Sequence, residues 1–103
     1  MQGTYAVVWS ENGSMVSGRL DSLPDRFDLD GRGRRLTLPF AELLSAAIAR
    51  GHGERLNGLP VLELGRRSGP SVRIASLEGT AALHELFDQV ERAGVSVAAR
   101  NLA

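Results

Sequence analysis

Cysteine and lysine are both absent from the chain. Without cysteine there are no disulfides, thiolate nucleophiles or cysteine-held zinc, and an intracellular address becomes the default expectation. Without lysine there is no Schiff-base chemistry and no Walker-type phosphate loop, whose lysine reaches the phosphates. An excess of one charge is missing too. Twelve basic residues, all arginine, balance twelve acidic ones. A general nucleic-acid binder carries a basic excess, so that class is set aside. No apolar run approaches the ~20 residues of a spanning helix, and no basic segment leads into an apolar one at the N-terminus. The expected location is cytoplasmic, with a peripheral membrane address as the variant.

What is present is enough for one core. The 103 residues are 43% apolar, too many for a chain disordered by composition. A chain of this length buries about 60–65% of its unfolded surface and supports a single domain. We assign that domain to residues 1–94 and a short tail to 95–103. The all-arginine basic set, with abundant Ala, Leu and Gly, fits a high-GC bacterial genome.

Local patterning gives the elements. Asn12-Gly13 suits the centre of a type I′ turn, where both residues need positive φ. That turn pairs Glu11 with Ser14, Trp9 with Val16, Val7 with Gly18 and Tyr5 with Leu20, a face that is largely apolar or Gly. The other face pairs Ser10 with Met15, Val8 with Ser17 and Ala6 with Arg19, and is mixed. Alternation continues through Phe27 and Leu29, then through Leu36, Leu38 and Phe40 after the Gly31–Arg34 connection. A second hairpin joins Val61–Leu64 to Ser71–Ala75, pointing Leu62, Leu64, Val72 and Ile74 inward. Leu83, Leu86, Phe87 and Val90 form a helical stripe over Thr80–Ala93, with Thr80 as N-cap and Gly94 at the C-terminal cap. Phe40–Arg50 has high helix propensity, yet Leu44, Ala46 and Ile48 also alternate as one strand face. Residues 51–60, with His52 between two glycines, read as a loop.

Four strands, a disputed element, two strands and a helix resemble the pleckstrin-homology-like (PH-like) fold, especially short bacterial PH-like and GRAM-like domains. The resemblance rests on Gly18-Arg19-Leu20, Phe27-Asp28-Leu29-Asp30-Gly31, Leu59-Pro60-Val61-Leu62-Glu63-Leu64, and Val72-Arg73-Ile74-Ala75 followed by Gly79 and the helix. It covers roughly residues 4–94 and is carried by order and spacing. It implies that residues 44–49 are strand five, in a mainly β, partly open seven-stranded barrel of two near-orthogonal antiparallel sheets capped by one C-terminal helix. Family helices usually carry a core-facing Trp; here the helix offers Phe87, and the single Trp is Trp9.

No catalytic set assembles. His84 and Asp88 share a helix face, an arrangement that is ordinarily a solvated interaction, and two residues complete neither a metal site nor an acid–base site. His52 has no carboxylate arrangement around it. Gly31-Arg32-Gly33 lacks the third glycine and the strand-to-helix context of a dinucleotide loop. Asp21, Asp25, Asp28 and Asp30 alternate with other residues along strand edges rather than spacing as a calcium loop. The expectation is no catalysis, no metal and no cofactor.

Two binding readings remain. By resemblance, the connections carrying Arg32, Arg34, Arg35, Arg66 and Arg67 line the open end of the barrel, where five guanidinium groups would suit a phosphate or an anionic lipid headgroup. Alternatively, the partly apolar outer face of the first hairpin, with Val8 and Met15, would contact another protein or a second copy. The second reading is the leading expectation: a small non-enzymatic module for protein interaction or self-association. A small enzyme on the same scaffold ranks last.

Overall fold

The computed structural model describes residues 3–49, 51, 55, 56 and 58–95. His52 and residues 96–103 of the expected tail lie outside them. The chain forms β1 (Gly3–Glu11), β2 (Ser14–Ser22), β3 (Arg26–Gly31), β4 (Arg34–Pro39), a 3-10 turn at Phe40–Glu42, β5 (Leu43–Ala49), β6 (Val61–Arg66), β7 (Val72–Ser76) and α1 (Thr80–Arg92).

All seven strands pair antiparallel in one sheet, ordered β4-β3-β2-β1-β7-β6-β5. The sheet curls into a half-barrel with α1 against it. The two separate near-orthogonal sheets of the sequence expectation are not described. The reason lies in β1, which pairs with β2 along its whole length and with β7 over Val7–Glu11, so the ladder has no break.

The first hairpin has the expected register, with Trp9 opposite Val16 and Tyr5 opposite Leu20. Asn12 and Gly13 have φ of 63° and 89°, as a type I′ turn requires. A second two-residue turn, Arg32 (φ 51°) and Gly33 (φ 77°), joins β3 to β4. Where β2 leaves β3, backbone touches backbone: a Cβ on Gly18 would lie 1.8 Å from the Asp30 carbonyl oxygen. Only glycine permits that approach.

Residues 43–49 are a strand despite their helix propensity, because β6 offers them a pairing edge and the core needs a wall. The period-two reading fails at one position. Leu43 opposes Arg66 and Ser45 opposes Gly65, so Leu44 is an extra, bulged residue and is 50% exposed. Leu43 takes the inward place that alternation assigns to Leu44.

The main core joins Tyr5, Val7, Trp9, Leu20, Phe27, Leu29, Leu38, Leu62, Leu64, Val72 and Ile74 to Leu83, Phe87 and Val90 of α1. Leu36, also expected in the core, is only partly buried against it. Phe40 meets Phe27 edge to face, with ring centroids 5.0 Å apart. Polar pins fix α1. The Tyr5 hydroxyl donates to Glu85 at 3.1 Å, the Ser22 hydroxyl donates to Gln89, and the Gln89 amide donates to the Leu23 carbonyl at 2.9 Å. Gly79 (φ 109°), not Thr80, occupies the N-cap position, and no side chain caps the first turn. The C-terminus closes as expected at Gly94 (φ 93°): Gly94 N–H reaches Glu91 and Val95 N–H reaches Val90 in a Schellman motif.

Candidate functional site: the arginine mouth

The mouth is the end of the half-barrel where β1 finishes and the β3–β4 and β6–β7 turns sit. Alternation along β1 places Tyr5, Val7, Trp9 and Glu11 in one inward row. Arg34 heads the inward row of β4 with Leu36 and Leu38, and Arg66 ends that of β6 with Leu62 and Leu64. Curling brings these three rows together, although two strands, β3 and β2, separate β4 from β1.

One carboxylate takes both cations. Arg66 Nη2 lies 2.8 Å from Glu11 Oε2, and Arg34 Nη2 lies 3.5 Å from Glu11 Oε1. The Arg66 side chain is 12% exposed, and its Nε also donates to the Pro70 carbonyl at 2.8 Å. The Arg34 guanidinium carbon stands 5.1 Å from the centroid of the Trp9 ring. Beneath it Trp9 is fully buried, its indole N–H donating to the Asp30 carbonyl at 3.3 Å. A buried aromatic face, two guanidinium groups and a shared carboxylate therefore form one layered closure.

The five arginines do not gather. Adjacent strand residues point to opposite faces, so Arg35 leaves Arg34 for the outer side. There it lines an open hollow of about 150 Å³ with Arg19, Asp21, Asp28 and Asp30. Arg67 binds the 3-10 turn instead: its Nε donates to the Ala41 carbonyl at 3.3 Å and its backbone N–H to the Glu42 carbonyl. Arg32 is exposed at the tip of the β3–β4 turn.

The hairpin face also differs from expectation. Val8 is 2% exposed, covered by Leu56, Val61 and Ala75 in a second small core with Leu59 beside it. It cannot contribute a surface. Met15 is 53% exposed. On α1, His84 and Asp88 are exposed, and among the described residues no group of three or more His, Cys, Asp or Glu is placed to hold a metal. Burial, then the hydrogen bond to Glu85 and the charges of Glu85 and Glu78, raise the Tyr5 phenol above its ordinary pKa. It stays a neutral donor at physiological pH.

Sequence reasoning missed Glu11 and Gln89. The signal for Glu11 was present: a carboxylate on an otherwise apolar face needs a cation from elsewhere. Gln89 had none, since its partners Ser22 and Leu23 are brought to it only by the packing of α1.

No family model and no curated protein matches the sequence. Among solved structures, the fold is similar to the C-terminal domain of an unknown protein from Leishmania infantum, with a TM-score of 0.66 and 13% identity. The alignment covers 86% of this chain and 82% of that one. At that identity the likeness concerns the fold alone.

Proposed function

We propose that the chain is a non-enzymatic PH-like module that works by contacting another protein or a second copy of itself, in a bacterial cytoplasm. The element order supports a PH-like reading, in which β1–β4 and β5–β7 are the two near-orthogonal halves of one curled sheet. Fold does not fix function, so the choice among binding modes rests on the site. One observation carries it. The two cations best placed to take an anion, Arg34 and Arg66, already share Glu11 over a buried tryptophan. The mouth is closed from within, which favours a macromolecular contact elsewhere on the surface. Sedimentation of the purified chain over a range of concentrations tests self-association. A strict monomer removes it and leaves a different protein as the partner.

The second reading is weak binding of an anionic lipid or phosphate ligand by Arg32, Arg34, Arg35, Arg66 and Arg67. It is favoured by Arg32 and Arg35, which have no ion pair among the described residues. Each exposed contact contributes only ~0–1 kcal/mol, so several must act together and salt must weaken them. Co-sedimentation with anionic liposomes at low and physiological salt, comparing wild type with Arg34→Ala/Arg66→Ala, decides it. Equal pelleting of both proteins, or none of either, rejects the arginine site.

A further inference from the structure

We propose that the outer edge of β5, over residues 45–49, pairs antiparallel with the same segment of a second copy of this chain. The inference rests on the self-association reading and names its surface. Among the described residues, β5 ends the sheet and pairs only with β6. Among the described residues, no other segment makes a backbone hydrogen bond to residues 45–49. Alternate N–H and C=O groups along that side have no backbone partner among the described residues, a template for one more strand.

The opposite edge shows how such a template is ordinarily blunted. β4 carries Arg34, Arg35 and Pro39, two charges and a residue without an N–H. β5 reads Leu-Leu-Ser-Ala-Ala-Ile-Ala, with neither charge nor proline. The bulge at Leu44 confines regular pairing to Ser45–Ala49 and leaves a half-exposed leucine at its head.

A second copy fits this edge because the segment is complementary to itself. With the two-fold axis at Ala47, that residue faces the partner's Ala47, Ala46 faces the partner's Ile48, and Ser45 faces the partner's Ala49. Inward residues meet inward ones, the small Ala46 meets a large side chain on each side of the axis, and no charge is set against charge. Among the described residues, the nearest outward charge is Glu63, opposite Ala47 on β6. Its copy would lie three strand spacings away, about 14 Å, beyond the ~8 Å screening length at physiological salt. Balanced net charge adds no long-range repulsion.

The test uses the full chain. Sedimentation from low micromolar to near-millimolar concentration should show a monomer–dimer equilibrium, and hydrogen exchange of the β5 amides should slow as the dimer fills. Ala47→Arg sets two guanidinium groups against each other at the axis and should raise the dimer dissociation constant ~10-fold or more. Thr37→Arg on β4 should leave it unchanged. Circular dichroism checks that both variants fold, and the wild-type exchange experiment stands without them. Association that survives Ala47→Arg in a folded protein, or proceeds with no slowing at β5, overturns the edge assignment while self-association stands. A chain that stays monomeric throughout overturns both, leaving the β5 edge to a strand from a different protein.

Discussion

The two ends of the half-barrel are closed by different physics. At one end α1 buries Leu83, Leu86, Phe87 and Val90 against the sheet, with Tyr5–Glu85 and Gln89–Leu23 hydrogen bonds fixing its position. At the other, Glu11 draws Arg34 and Arg66 across the opening above Trp9. The first closure is non-directional and scales with apolar area, so it tolerates salt. The second depends on the geometry of a few charged groups and is screened in part. A ligand competes with the second kind of closure far more readily than with the first. Of the two ends, the mouth is therefore the one whose closure a competing anion would test.

Removing a leucine from the helix end should have the largest effect. Leu86 is fully buried, so Leu86→Ala should cost about 2–5 kcal/mol in urea melts through lost burial and a residual cavity. A loss well below 1 kcal/mol would mean that α1 does not close that end. Glu11→Gln is the matching change at the mouth. It leaves a nearly buried Arg66 and its neighbour Arg34 without their carboxylate and should cost about 1–3 kcal/mol. Salt sharpens the contrast: the Glu11→Gln deficit should shrink between low and high ionic strength, while the Leu86→Ala deficit stays constant.

Smaller effects refine the helix end. Gly94→Ala forces an alanine to φ near 93° and should destabilise by about 1 kcal/mol, with faster amide exchange confined to the last turn of α1. Tyr5→Phe tests the phenol. The folded pKa of Tyr5 is raised, so its contribution is fully present below the unfolded value near 10.0 and is lost as pH rises through the folded pKa. The stability gap between wild type and Tyr5→Phe should therefore be flat through neutral pH and narrow in alkali. A gap that widens in alkali would contradict the hydrogen-bond assignment.

Which of these features the sequence discloses depends on how local their causes are. The Asn12-Gly13 hairpin is legible because turn chemistry and side-chain alternation act over the same few residues and agree. The α1 stripe and its Gly94 cap are legible for the same reason. β5 is not local: Ala and Leu favour helix, and only the neighbouring β6 edge and the core behind it make a strand. The Leu44 bulge is set by the fit of Ser45 against Gly65, which no single-strand pattern contains. The error at Val8 came from reading residues 51–60 as an ordinary loop. Leu56 and Leu59 were its visible warning, since apolar residues in a loop need something to cover. Grouping five arginines by connection ignored strand alternation, which alone separates Arg34 from Arg35.

The closure of the mouth from within is the point on which the functional reading turns. Its most direct test is a titration of the wild-type chain with inorganic phosphate, recording the Nε–H resonances of Arg34 and Arg66 and the indole N–H of Trp9 by NMR. With Glu11 holding both guanidinium groups, none of the three should move saturably, and only the exposed Arg32 and Arg35 should respond weakly. Concerted, saturable shifts of Arg34, Arg66 and Trp9 at sub-millimolar phosphate would contradict the account and make the mouth an anion site.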